Sequence, residues 1–175
     1  MLIPRKYTFS WELLGNLADG RPTLGRQTRL EVYRLMQFCL RDVMEGEVGT
    51  TRTDHIFAKA GNLAGRHFYE KLVAPVADLP AFFSKLATIF RELGIGIMAV
   101  EEEDLAHGRL VLTLAEDLDC SGLPELSYEI CTYDEGFLSG LLEAHTGKRF
   151  LVKEVDCWCT GDHTCRFVAL AEAAE

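Results

Sequence analysis

A chain of 175 residues is long enough to bury a real hydrophobic core in one domain. Hydrophobic residues make up 48% and charged residues 26%, which excludes a disordered chain, and no apolar run approaches the roughly 20 residues that span a bilayer. The net charge of -9 lacks the Lys/Arg surplus that neutralises phosphates, so neither nucleic acid nor membrane is an expected partner. The start, "MLIPRKYTFSW", has no apolar core or small-residue cleavage site of a secretory leader, and the cytoplasm is the expected compartment.

In "TRLEVYRLMQFCLRDVM", Leu30, Tyr33, Met36, Leu40 and Val43 recur at helical spacing and predict an amphipathic helix that Gly46 and Gly49 stop. Arg26, Arg29, Arg34 and Arg41 alternate with Glu31, Asp42, Glu45 and Glu47, a solvated face rather than a basic patch. Cys39 falls in the apolar run and is expected in the core.

The stretch "TRTDHIFAKAGNLAGRHFYEKLV" predicts a second helix, capped by Thr53 or Asp54 and burying Ile56, Ala60, Leu63, Ala64, His67 and Leu72. Gly61 and Gly65 cost about 1 kcal/mol each in a helix interior, so a close neighbour should offset them. Either another helix of the chain or a second copy would serve. Asp78 and Pro80 open a third helix carrying Phe82, Phe83, Leu86, Ile89, Phe90 and Leu93, and Gly94 closes it.

From there the period is two. "IGIMAVEE" and "RLVLTLAE" predict an antiparallel hairpin, and "EDLDCSGLPELSY" reads as loop. "TYDEGFLSGLLEAHTGK" predicts a helix ended by Gly147, and "RFLVKEVDCWC" and "HTCRFVALAE" form a second hairpin around "TGD". The order predicts an α+β fold: an antiparallel sheet of four or more strands flanked by helices, with a helical N-terminal half. Residues 1–175 are expected to form one domain, with residues 1–50 as a helical extension suited to dimerisation.

Without an export signal, clustered cysteines point to metal or thiol chemistry rather than to disulfides. Three lie in "KEVDCWCTGDHTCRF": Cys157, Cys159 and Cys165, with Cys131 ahead of the preceding helix. A hairpin can bring Cys157 and Cys165 together, and Zn²⁺ needs four ligands in a tetrahedron. Strand alternation puts Cys157 and Cys159 on one face and Glu154 on the other, so parity favours Cys131, Cys157, Cys159 and Cys165. Glu154 can join only if the strand bends, bulges or ends. Buried reduced cysteines and a Cys157–Cys159 redox pair are the rival readings.

The segment from Cys131 to Phe167 resembles the C-terminal signature of the 4-vinyl reductase-like domain family. The pattern is a Cys, a helix with a Gly-rich face, E-x-x-C and G-D-x-x-C-x-F, here Cys131, Glu154, Cys157, Gly161, Asp162, Cys165 and Phe167. "CSGLP" at Cys120–Pro124 resembles the loop that precedes this region in single-domain members. The resemblance implies Zn²⁺ held by Cys131, Glu154, Cys157 and Cys165, with Cys159 as the alternative fourth ligand. It also implies a TRAPP and nitric-oxide-sensor-like architecture and a homodimer made through N-terminal helices. The ligand it implies is hydrophobic, aromatic or a tetrapyrrole, and Phe68, Phe82, Phe83 and Phe137 are the candidate lining residues.

A zinc ringed by four protein ligands has no open position and would be structural. No Ser/His/Asp constellation, Walker loop or GxGxxG motif occurs, so a binding or sensor module is expected rather than an enzyme. Sensors of the family join this domain to an ATPase and a DNA-binding domain; neither is recognisable in these 175 residues, so sensing would need a partner protein. The rival functions are an enzyme or carrier accessory in tetrapyrrole (vinyl-group) metabolism and a TRAPP-like protein-interaction adaptor.

Overall fold

The computed structural model describes residues 5–104 and 106–172, which divide into two units, one up to Phe38 and one from Cys39 on. In the first unit a 3-10 turn, Trp11–Leu14, precedes α1, Leu17–Gly20, whose cap Asn16 accepts the Asp19 amide. None of its described residues is buried. Helix α2, Leu30–Val48, begins here and continues into the second unit, with Gly46 inside it rather than ending it. Its apolar stripe lies open: Val32, Leu35, Met36, Leu40 and Val43 are all more than half exposed. Cys39 is therefore exposed and not in the core, because nothing on its own chain covers the stripe to which it belongs.

In the second unit α3, Thr50–Phe68, follows Gly49, whose positive φ breaks the chain between the two helices. The helix starts one turn earlier than Thr53 or Asp54 would cap it, and Thr53 is fully buried within it. Its buried face is Thr53, Phe57, Gly61, Gly65 and Phe68, rotated from the apolar stripe predicted; Ala60 and Ile56 face solvent. A π turn, Tyr69–Val73, leads to α4, Leu79–Leu93. Asp78 caps α4 by accepting the Ala81 amide at 2.9 Å, and left-handed Gly94 closes it.

Strands β1, Ile97–Asp104, and β2, Arg109–Ala115, form the first hairpin. Helix α5, Thr132–Thr146, is followed by β3, Phe150–Asp156, and β4, Cys165–Ala171. The sheet is antiparallel throughout in the order β1-β2-β4-β3, which leaves β3 at an edge. Alternation points Phe150, Val152 and Glu154 of β3 and Cys165, Phe167 and Ala169 of β4 inward. There they meet Phe82, Leu86 and Phe90 of α4 and Leu141 and Leu142 of α5 in one core. The α+β architecture predicted is the one observed.

Backbone contact between α3 and α5 gives the glycines their use. A Cβ on Gly61 would overlap the Tyr133 carbonyl, and one on Gly65 the Phe137 carbonyl. On the opposite helix, Gly136 and Gly140 meet the Ala58 and Asn62 carbonyls in the same way. Four small residues let two helices touch main chain to main chain, and the entropic cost of the glycines is offset by that contact. The pairing is within one chain.

Helix α5 also covers the open edge of β3. Ser139 Oγ donates to the Phe150 carbonyl at 2.8 Å, and Glu135 Oε1 accepts the Glu154 amide at 3.0 Å. Glu135 Oε2 takes Lys153 Nζ at 2.9 Å. These bonds satisfy edge groups that would otherwise invite another strand. Gly136→Ala should lower unfolding free energy by about 2 kcal/mol or more in urea titration, because the clash is with backbone that cannot swing away; an unchanged midpoint would contradict the close contact.

Candidate metal centre

Each sulfur of the centre is placed by a different local device. Asp117 Oδ1 accepts the amides of Asp119 at 2.6 Å and Cys120 at 3.0 Å, a side-chain turn that fixes Cys120 in the loop after β2. Cys131 is the residue preceding α5, and its amide donates to Glu154 Oε2 at 3.1 Å. Cys157 follows the end of β3, where the Thr160 hydroxyl accepts its amide at 3.0 Å and Gly161, at φ 98, turns the chain back. Cys165 opens β4.

The four thiols converge. The sulfurs of Cys120, Cys131, Cys157 and Cys165 lie within 4.8 Å of one another, and none of these residues is more than 1% exposed. Cys131 Sγ is 3.9 Å from Cys157 Sγ and 4.0 Å from Cys165 Sγ, while Cys120 Sγ and Cys165 Sγ are 3.1 Å apart. Zinc–sulfur bonds of about 2.3 Å in a tetrahedron require sulfurs about 3.8 Å apart. Two of the three spacings meet that, and the third needs only a modest opening. This buried group is able to hold a metal ion.

The electrostatics suit a cation. Hydrogen bonds from Cys120, Cys131 and Cys165 hold the Cys157 thiol far below its ordinary range, as a thiolate. Cys131 and Cys165 are correspondingly raised, chiefly by their contacts with Cys120. Burial pushes Glu154 up to about 8, with the Cys157 charge adding to it, and burial beside Asp119 pushes Asp117 up to about 7. Burial, then the Asp119 charge, also raises Asp134. Buried acids and thiols gathered this way are costly without a counter-charge.

Of the residues predicted, Cys131, Cys157 and Cys165 come together. Glu154 is buried beside them through the Cys131 amide, and its Oε1 has no hydrogen-bond partner. Its inward turn coincides with a register shift between Glu154 and Asp156, the irregularity that strand parity demanded. Cys159 is buried but outside the four-thiol group, and burial raises it to about 12. Its carbonyl instead accepts the Leu126 amide at 2.8 Å. Cys120 is the member that sequence reasoning passed over; the Asp-x-Asp-Cys turn was its only local signal.

Phe68, Phe82, Phe83 and Phe137 sit in the core, with Phe68–Phe137 ring centroids 5.2 Å apart and Phe82–Phe83 5.0 Å apart. A polar pair borders these rings: His145 stacks on Phe82 at 4.5 Å, and its Nδ1 lies 3.2 Å from Tyr69 Oη. A separate surface cleft of about 710 Å³ runs between α3, α5 and β3, lined by groups such as His55, Lys59, Arg66, Glu143 and Lys153. None of the four phenylalanines lines it.

Residues 110–171 match the family model of the 4-vinyl reductase domain, a span that contains all four clustered thiols and Glu154. The chain carries a 4-vinyl reductase domain. Relatives of this 4-vinyl reductase-domain protein include two uncharacterized proteins of Methanocaldococcus jannaschii. MJ1642 is 27% identical over 85 residues, 49% of this chain and 50% of that protein. MJ0150 is 22% identical over 108 residues, 62% of this chain and 61% of that protein. The chain thus spans about half to three fifths of the length of these relatives.

Three solved structures share the fold at low identity. A vinyl-4-reductase family protein from M. jannaschii aligns with TM-score 0.61 and 17% identity, covering 86% of this chain and 85% of that one. The phenol-responsive sensory domain of the transcription activator PoxR, with phenol, gives 0.58 and 16%, covering 76% and 71%. Trafficking protein particle complex subunit 3 from Naegleria fowleri, covalently bound to palmitic acid, gives 0.64 and 14%, covering 82% and 95%. No helix among the described residues is long and apolar enough to cross a membrane.

The shifts at the centre fix a pH dependence for metal-free protein. Glu154 binds its proton more tightly folded than unfolded, so its contribution to stability is full below about 4.5 and is lost as pH rises through about 8. Asp117 acts in the same direction between about 3.8 and about 7. Chelated wild-type protein should melt lower at pH 8.5 than at pH 6, and Glu154→Gln should shrink that difference. An equal drop in the variant would remove Glu154 as its source.

Proposed function

We propose that this chain is a zinc-stiffened module that binds or senses a small hydrophobic molecule. The observation that carries the metal half is the convergence of four buried thiols from a loop, the start of α5, the end of β3 and the start of β4. An all-sulfur tetrahedral set suits Zn²⁺, and four protein ligands leave no place for substrate, so the ion is structural. Cys120 fills the fourth position in this proposal. Glu154 holds the Cys131 amide and orients that ligand from outside the set.

Support for the ligand half comes from the fold shared with a phenol-bound sensory domain and a palmitate-bound subunit, and from the ring cluster bordered by Tyr69 and His145. An aromatic body would pack among Phe68, Phe82, Phe83 and Phe137 while a hydroxyl met the polar pair. A second reading, an adaptor or homodimer, is favoured by the open stripe Val32, Leu35, Met36, Leu40 and Val43 on α2.

Elemental analysis of protein purified without added metal should find about one tightly held zinc per chain after dialysis. Cys120→Ala and Cys165→Ala should lose it and melt at markedly lower temperature, whereas Glu154→Gln should retain it; wild type without zinc would sink the metal half. Calorimetric titration with phenol should show saturable binding that Tyr69→Phe weakens about 3- to 10-fold, the worth of one hydrogen bond. No saturation would set the aromatic reading aside. Light scattering should give a dimer that Leu35→Glu converts to monomer, and a monomeric wild type would remove the α2 interface.

A further inference from the structure

We infer that this chain holds a second divalent-cation site, formed by Asp117, Cys131 and Asp134, which shares the Cys131 sulfur with the zinc site. The inference rests on the reading that the four-thiol group binds a metal. One ligand atom from each of the three residues lies within 4.8 Å of the others, and the residues are 2%, 0% and 8% exposed. Such spacing lets one ion touch all three.

The observation that points to a ligand is Asp134 Oδ2. It is buried and has no hydrogen-bond partner, the condition that costs a carboxylate the full price of leaving water. Asp134 lies in the first turn of α5, three residues after Cys131, so the helix carries both groups on one face. Asp117 approaches from the loop after β2, with its carboxylate fixed by the amides it accepts. A rigid carboxylate, an unbonded carboxylate and a thiolate therefore meet at one point.

Donor chemistry narrows the ion. A thiolate sulfur has lone pairs enough to bridge two cations. Two carboxylates with one bridging sulfur suit Zn²⁺, Co²⁺ or Fe²⁺ and offer too few oxygens for Ca²⁺ or Mg²⁺. Four thiolates and two carboxylates around a single dication would leave a buried excess of negative charge, which a second dication offsets. The two positions differ in kind. The first is closed by four sulfurs; the second has three protein ligands and keeps a place for water or for an oxygen donor of a small molecule. Fewer ligands make it the weaker site, filled on titration rather than carried through dialysis.

The test is an anaerobic Co²⁺ titration of the reduced, metal-free full chain, followed by absorbance, electron paramagnetic resonance and metal count. Wild type should take two ions in two steps. The first brings intense sulfur-to-cobalt charge transfer; the second lowers the resonance intensity, because the shared sulfur couples the two spins. Asp134→Asn should complete the first step unchanged and lose the second, with at least about a 10-fold rise in its dissociation constant. The completed first step also shows that the variant folds. A wild type that stops at one ion overturns the second site and leaves the zinc reading intact, and an Asp134→Asn protein that still takes two overturns the assignment. Binding of no cobalt overturns the four-thiol reading and the inference with it.

Discussion

Four sulfur atoms meeting in a dry interior are the constraint on which the rest of this structure depends. They come from chain segments with no other reason to converge: an irregular loop, the start of a helix and the two ends of a strand connection. Thiols at such distances repel as thiolates and pack poorly as neutral groups, so the arrangement is strained without a cation and cross-linked with one. In a domain whose sheet has only four strands, that link fixes the loop after β2 against the β3–β4 turn.

A chain of hydrogen bonds carries the position of α5 into this centre. Glu135 of α5 takes the Glu154 amide, and Glu154 takes the Cys131 amide at the start of the same helix. The helix is itself set by backbone contact with α3 at Gly61, Gly65, Gly136 and Gly140. A displacement of α3 would thus move the first residue of the sulfur group. The ring cluster of Phe68, Phe90 and Phe137 joins the same helices, with centroids 5.2 to 6.0 Å apart. Occupancy among those rings and geometry at the sulfurs are mechanically connected through α3 and α5.

What the sequence made legible follows from what is periodic or capped. Helix α4 could be bounded almost to the residue because Asp78, Pro80 and Gly94 each act locally. The hairpins were readable from alternation. The buried face of α3 was not, since apolar periodicity weighs side-chain volume and that face is built from glycines whose merit is having none. Cys39 looked like core because α2 is amphipathic, yet periodicity cannot say what covers a stripe. Glu154 was visible through resemblance while parity argued against it, and the β3 irregularity reconciles the two. Cys120 stood in an aperiodic loop, where no regular spacing ties a residue to distant partners.

As a 4-vinyl reductase domain, the molecule is best understood as a scaffold in which sulfur ligation stiffens one end and aromatic packing fills the centre. The account turns on which atoms hold the metal, and X-ray absorption at the zinc edge of the as-purified, dialysed protein addresses that directly. Four sulfur neighbours at about 2.3 Å, with no light-atom neighbour, are the predicted result. Three sulfurs and one oxygen near about 2.0 Å would place a carboxylate in the set and contradict the role given to Cys120.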